Sequence, residues 1–519
     1  MENSALSSIL SPILSTQNMR ALDAAAKKNG NKDEIRNGYE MMKLAGFALF
    51  EKVKELQKKV LNKSIAIFIG GGNNGGDGLV LAKLLKEANI PHTVYSLHSE
   101  EKFKNEARLA FIDFIGNGGR LIYVNEGFSS KPSHTLIVDC MLGNGASGEL
   151  RTNFAEIVNQ INSWSIPILA ADAPTGYDSS LHKVNDICIK ANETLLFGLP
   201  RLDAYTKSGS NVFGNISTAP LSYPQNLIEN FSEGIYLAKA ENIPNLLPKR
   251  DEWSEKRDNG CAMIIAGSAY MTGAATLCTQ AALRCGAGLV TLATPKTVLP
   301  IQQAKMSEPI FLGLSDNANG YLQTADIPLL LKGVQHNNAI ALGPGISTEK
   351  NVQEAVLEIL PQITKPIVID ADALNAIATK PSILQSISAP AILTPHKREY
   401  SRIFGEIPQN DFDIPAQLRK NAQDTNKVII LKGATTWIAT PDGKVYVVST
   451  ANSGMAKGGS GDVLTGILVS FLAQGMAIDI AAVLGVLIHQ KAGTIARNML
   501  GPYSMLPSDI IQSLSKAFA

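Results

Sequence analysis

The sequence predicts an α/β protein of two domains, each built on a parallel sheet covered by helices. Three observations lead there. Short continuous apolar runs recur along the chain, each ending in Gly, Asp or a polar turn, with helix-length patterns between them. Two of the junctions are glycine-rich strand-to-helix segments. The chain, at 519 residues, has room for two large domains.

In the first half the strands are SIAIFIG, HTVYSL, HTLIVDC and IPILAAD, separated by helical patterns such as Leu79–Asn89 and Glu101–Asn117. The opening segment, Gln17 to Gln57, is helical in pattern and should pack on that sheet. The rhythm thins after Leu221, where Pro220, Pro224, Pro244 and Pro248 punctuate the chain. The expected division is a first domain over 1–224, a linker over 225–236 and a second domain over 237–519. The second series of strands reads CAMIIAG, AGLVTLAT, NAIALGPG, PIVIDAD, PAILTPH and KVIILKG. The pair TTWIAT and KVYVVST flanks Pro441-Asp442-Gly443, a hairpin signal. The end of the chain is helical in pattern, and no internal repeat links the halves.

Composition narrows the function. Lys+Arg 47 against Asp+Glu 46 leaves a net charge of +1, without the basic excess that displaces counterions from nucleic acid. The five cysteines are odd in number, scattered and never spaced CxxC, which points to a reduced, cytoplasmic setting and away from a zinc ribbon. The seven histidines show no HExxH spacing. The segment Met1 to Gln17 has no basic region ahead of an apolar block and does not read as a secretory signal. Gly466 to His489 is apolar enough to suggest a span, but Gln474, Gly475 and Asp479 interrupt it, and two buried helices joined by a turn are expected instead.

The first glycine-rich junction, IAIFIGGGNNGGDGLVLAKLL, matches GxGxxG through Gly70, Gly72 and Gly75. An ordinary nicotinamide oxidoreductase would carry an acid at the end of the next strand, and VYSLHSE ends on Ser, Leu and His. Asn73, Asn74 and Asp77 crowd the helix start instead, a set suited to hydroxyls, an amide or a cation. GGGNNGGDGLV, then VDCMLGNG and ADAPTG, together resemble the NAD(P)H-hydrate epimerase family, the YjeF N-terminal domain, over about Gln17 to Leu221. The resemblance implies a Rossmann-like fold. It puts the hydrated nicotinamide dinucleotide against Asn73, Asn74, Gly75, Gly76 and Asp77, and against Gly143, Asn144, Gly145, Ala146, Ser147, Gly148 and Glu149. It puts Asp172 against the same ligand, and potassium on Asn74, Asp139 and Thr175, where the family usually has serine for threonine; Asp172 is the expected catalytic acid/base for inverting the hydroxyl-bearing carbon.

The second junction, GMAKGGSGDVLTG from Gly454 to Gly466, is the strongest motif in the chain. Gly458, Gly459 and Gly461 permit a tight turn into a helix expected to begin near Asp462. Free amides there can neutralise a transferring phosphoryl group, and Asp462 can take the proton of an attacking hydroxyl. No GxxxxGK[ST] occurs, so the chemistry is not that of a P-loop. With LLPKR, IIAGS, LGPGIS, DADALN, LTPHKRE and LKGATT in order, the block resembles the ribokinase-like superfamily. More narrowly, it resembles the ADP/ATP-dependent NAD(P)H-hydrate dehydratases, the YjeF C-terminal domain, from about Leu237 onward. That implies substrate contacts at Ala274, Gly345, His396 and Asp462, with Asp462 catalytic. It implies adenine-nucleotide contacts at Lys432, Gly433, Ala434, Thr435, Thr436 and Gly461, and a role for Glu399 in arranging Mg2+ and phosphate. Two departures touch the rim: Ser254-Glu255-Lys256-Arg257 replaces the usual Ser-His-Lys-Gly, and Lys397-Arg398 replaces Pro-Gly after His396.

The two chemistries fit together. Hydration of a reduced nicotinamide places a hydroxyl on a carbon beside the ring nitrogen. Phosphorylation makes that hydroxyl a leaving group, and an epimerase delivers the other stereoisomer. The expected partners are hydrated NADH, hydrated NADPH and ADP or ATP, with K+ and Mg2+, in a homo-oligomer free of nucleic acid and membrane. The competing readings are a kinase for a small vitamin-like alcohol carrying a nucleotide-binding regulatory half, and a non-enzymatic scaffold.

Overall fold

A computed structural model describes residues 9–28, 33–58, 64–124, 133–240, 243–316 and 319–519. They form two compact units, Pro12–Glu233 and Gly234–Ala519, the second joined by residues 9–11.

The N-terminal unit is a seven-stranded sheet of β1 (Ile65–Ile69), β2 (His92–Ser96), β3 (Leu121–Tyr123), β4 (Leu136–Cys140), β5 (Ile168–Ala171), β6 (Glu193–Phe197) and β7 (Asn215–Ala219). Their spatial order is β7-β6-β5-β4-β1-β2-β3, and every pairing is parallel. β1 and β4 are buried at every residue, as strands covered on both faces must be. The chain reverses its direction of travel between β1 and β4, which opens a crevice beyond their carboxyl ends.

The helical opening forms α1 (Thr16–Lys28) and α2 (Glu34–Gln57). The next helix, α3 (Asn73–Glu87), starts six residues earlier than the apolar pattern indicates. Gly75, Gly76 and Gly78 hide its first turns from a propensity reading. Close packing requires the glycine at 75, because a Cβ there would stand 1.9 Å from the Gly70 carbonyl oxygen. Residues 225–231, expected as linker, form a helix (Gln225–Phe231) instead. Its Leu227, Ile228 and Phe231 pack against Leu14, Met19 and Leu22, and the surrounding prolines conceal so short a pattern.

The C-terminal unit carries an eleven-stranded sheet. Its strands are β8 (Ile235–Ala238), β9 (Cys261–Ile265), β10 (Leu289–Pro295), β11 (Ile310–Leu314), β12 (Ala339–Leu342), β13 (Ile367–Ile369), β14 (Ala391–Leu393), β15 (Val428–Leu431), β16 (Thr435–Ala439) and β17 (Val445–Ser449). The order is β8-β17-β16-β15-β14-β13-β12-β9-β10-β11, with Leu10–Pro12 added beside β8. That last strand comes from a segment the sequence assigns to the first domain. β16 runs antiparallel to both neighbours, and its hairpin with β17 turns through Gly443 at φ +87°.

Here the switch lies between β9 and β12. The helices used below are α4 (Thr272–Arg284), α5 (Lys397–Phe404), α6 (Ser460–Ala473) and α7 (Ile478–Ser504). α6 and α7 are the two core helices expected over 466–489. α7 is long and apolar enough to cross a membrane by length and composition, yet 72% of its apolar window is buried inside the unit.

Candidate active sites

In the N-terminal unit a cleft of about 550 Å³ opens at the switch point. Asn73, Asn74, Asp77, Gly143, Asn144, Gly145, Ala146 and Asp172 line it, joined by Arg20, Asp23 and Lys27 from α1. Gly75 and Gly76 lie behind it, Gly76 packed on Met42. Ser147, Gly148 and Glu149 lie farther along the same loop, which is pinned where Gly148 N donates to Asp178 Oδ2 at 2.7 Å.

Asn74 is 8% exposed, and neither its Oδ1 nor its Nδ2 meets a partner. A buried amide left in that state calls for a ligand or ion. Asp139, fully buried one residue before the end of β4, accepts from Thr175 Oγ1 (2.7 Å) and Thr175 N (2.8 Å). Met141 N adds a third bond at 3.2 Å. Burial raises this carboxyl to about 6 against those bonds. Asp139 and Thr175 are thus joined directly, and Thr175 Oγ1 also accepts from Leu142 N at 3.0 Å.

Asp172 follows β5 in the left-handed region, φ +63°, a conformation that costs a non-glycine residue energy and must be held by its surroundings. Asn144 N donates to its Oδ2 at 3.0 Å, Arg201 Nη1 donates to its Oδ1, and Arg201 Nη2 donates to its carbonyl at 2.8 Å. Arg201 is wholly buried and reaches Asp203 Oδ1 through Nε at 3.3 Å. Asp77, also buried, accepts no hydrogen bond among the described residues. Burial, then the charges of Asp172 and Asp23, push its carboxyl far above the usual range.

In the C-terminal unit, α6 begins at Ser460, two residues before the expected start, with Gly459 capping it at φ +101°. Asp462 therefore lies in the helix's first turn. Burial and the charges of Asp370 and Asp372 raise it to about 7, against the pull of Lys432. Asp370 directly follows β13; its Oδ1 takes Lys432 Nζ at 2.7 Å and its Oδ2 takes Thr465 Oγ1 at 2.7 Å. Burial works against the charge on Asp370, but Lys432 and these bonds hold it below the usual carboxylate value. A Cβ on Gly461 would stand 3.4 Å from Lys432 Nζ, so the glycine lets the helix backbone approach the pair.

His396 caps α5: its Nδ1 accepts from Arg398 N and Glu399 N (both 3.1 Å), and Glu399 Oε2 accepts from His396 N at 2.8 Å. Glu399 is thereby tied into the cap. Gly345, φ +63°, faces Ala274 at the start of α4, where a Cβ on Gly345 would come within 2.8 Å of the alanine methyl. Gly433, Ala434 and Thr435 lead from Lys432 into β16. Thr436 is buried, with its Oγ1 donating to Gly433 O at 3.1 Å.

The structure adds residues that sequence reading left without roles. Asp370 ends an apolar strand, the same signal that marked Asp139, and could have been found that way. Thr465, Asp23 and Arg201 carry no local signal, since their importance comes from what the fold brings beside them.

The family model for NAD(P)H-hydrate dehydratase matches residues 262–516, and that for the YjeF-related protein N-terminus matches 38–202. The bifunctional NAD(P)H-hydrate repair enzyme of Moorella thermoacetica is 35% identical over 485 residues, covering 91% of each chain. The chain belongs to the bifunctional NAD(P)H-hydrate repair enzymes. The member from Thermofilum pendens is 31% identical over 95% of this chain and 93% of its own, and that from Escherichia coli 29% identical over 93% and 92%. Among solved structures, a ribokinase-like superfamily protein of Enterococcus faecalis is 25% identical, TM-score 0.48, over 55% of this chain and 96% of its own. The ADP/ATP-dependent NAD(P)H-hydrate dehydratase of Bacillus subtilis, crystallised with ATP and Mg2+, is 28% identical, TM-score 0.45, over 54% and 96%. In this repair-enzyme chain the epimerase-type motifs line the cleft at the switch point of the first sheet, and the dehydratase-type motifs follow β12 to β15 of the second and open α6.

Proposed function

We propose that this chain repairs hydrated NADH and NADPH by interconverting the R and S epimers in the N-terminal cleft and dehydrating the S epimer at Asp462. The observation that carries the reading is Asp462 in the first turn of α6, beside the Lys432–Asp370 pair. Asp462 takes the proton from the substrate hydroxyl, whose oxygen attacks the terminal phosphorus of ADP or ATP. The free amides at the start of α6 meet the charge on the transferring group, and Lys432 adds a fixed cation. The ring nitrogen's lone pair then expels phosphate, and loss of a proton from the neighbouring carbon restores the double bond. With its carboxyl at about 7, Asp462 is partly ionised at neutral pH and still basic enough to accept a proton.

Lys432 to Thr436 and Gly461 serve the nucleotide, while Ala274, Gly345 and His396 serve the substrate. Among the described residues no three His, Cys, Asp or Glu side chains gather to hold a metal. Magnesium would be carried mainly by the nucleotide phosphates and water, its usual habit. In the epimerase cleft, Asn74, Asp139 and Thr175 would hold potassium. The partnerless Asn74 Oδ1 fits that role, and the ion would supply positive charge near the substrate oxygen. The buried, unpaired cysteines support work in the reducing cytoplasm, and a homo-oligomer is the expected assembly.

The test is to incubate the full chain with mixed epimers of hydrated NADH and either ADP or ATP, following the return of reduced-nicotinamide absorbance. Recovery of both epimers is expected. No recovery, with phosphorylation of a vitamin-type alcohol instead, overturns the reading.

A further inference from the structure

We propose that Asp23 is the general acid of the N-terminal cleft, protonating the departing hydroxyl while Asp172 receives a proton from the water that returns on the opposite face. This rests on the epimerase reading of that cleft.

Asp23 lies on α1, outside the motifs that mark the site, yet its side chain lines the same cleft as Asp172 and Asp77. Its placement is built. Tyr223 Oη donates to Asp23 Oδ1 at 2.5 Å. The Tyr223 ring passes over Gly198, φ +84°, where a Cβ would come within 2.6 Å of Cε2 and 2.7 Å of the hydroxyl, so only glycine admits it. With Oδ1 occupied, Asp23 Oδ2 has no donor among the described residues.

The two carboxyls sit in opposite surroundings. Asp172 accepts from the buried Arg201 guanidinium and the Asn144 amide, which fix where its carboxylate points. Asp23 is faced by Lys27 on its own helix, by Tyr223, by Asp172 with Arg201 behind it, and, from α3, by the buried Asp77. Burial is the largest influence on Asp23 and raises it to about 6; the Tyr223 bond, Lys27 and Arg201 oppose, and the Asp172 charge adds to the rise. A carboxyl that burial keeps protonated can deliver a proton, while a neighbour held in place across the same cleft can receive one.

The chemistry balances without a further reactant. The ring nitrogen's lone pair forms the C=N bond as the C–O bond breaks, and Asp23 gives its proton to the leaving oxygen, yielding water. The ring carbon becomes planar. Water adds to the other face, forming the new C–O bond, and Asp172 takes the released proton. Proton exchange through cleft water restores both groups, and no electron leaves or enters.

The experiment uses the full chain without nucleotide. Separated S epimer of hydrated NADH is followed by NMR as it converts to R, with S-epimer dehydration in ADP as the internal reference for each preparation. Asp23→Asn should lower the kcat of epimerisation about a hundredfold or more, with a small change in KM. Tyr223→Phe removes a donor that favours the ionised form, so the limb on which activity falls with rising pH should move to higher pH. A purely structural role would leave that limb in place. Wild-type kcat and pH profile in Asp23→Asn, with Asp172→Asn inactive, would overturn the inference alone. Full epimerisation in both variants would overturn the reading of the cleft itself.

Discussion

Lys432 Nζ lies 2.7 Å from Asp370 Oδ1, a pair in which the carboxylate is 1% exposed and the ammonium 22%. Burial pulls Lys432 toward neutrality, but the Asp370 and Glu399 charges outweigh it and hold the ammonium more firmly charged than usual. The pair fixes the electrostatics around Asp462 and gives Lys432 a structural role beside the one proposed for it.

Lys432→Met should therefore fail twice. Asp370 is left as a buried, unneutralised carboxylate, and a urea titration should show a loss of about 3 kcal/mol. Asp462 loses the cation that restrains it, so the acid limb of dehydration should move upward from about 7. A variant with wild-type stability and an unmoved limb would refute the pairing.

Asp462→Asn should abolish dehydration and stabilise the chain at alkaline pH. A carboxyl raised in the folded state binds its proton more tightly there than in the unfolded chain. Stability therefore falls as pH rises from the ordinary value of 3.8 toward about 7. Removing the charge should restore on the order of 2 kcal/mol at pH ~8, allowing for partial exposure, and little at pH ~4. Thermal unfolding at the two pH values measures the difference.

Arg201→Leu should cost about 3–5 kcal/mol, because Asp172 and the buried Asp203 both lose their cation. Epimerisation should fall with it, since Asp172, at φ +63°, loses both side-chain and carbonyl bonds to the guanidinium. Isothermal unfolding paired with the epimer-interconversion assay reads both effects.

Replacing potassium by a large organic cation should slow epimerisation several-fold, and Asn74→Ala should remove the dependence. Titration of activity with KCl checks both. A potassium response of wild-type size in Asn74→Ala would place the ion elsewhere.

Sequence reading reached most of the fold because its signals are local. Uninterrupted apolar strands mean a sheet buried on both faces, and glycines at two strand-to-helix junctions mark where backbones must come close. Asp139, Asp172 and Asp462 could be picked out as candidates for the same reason: each stands at a strand end or helix start. The early start of α3 was not legible, because glycine propensity argues against helix and only the contact of Gly75 with Gly70 explains it.

What the sequence by itself determined is the pair of α/β units and the two motif sets, since strand periodicity and turn chemistry act between near neighbours. Only the tertiary structure decided that Leu10–Pro12 joins the second unit's sheet, that Arg201 clamps Asp172, and that Asp23 reaches the first cleft. Those depend on charge and backbone edges meeting across long stretches of chain. Burial then sets their energies, through a desolvation that no local pattern encodes.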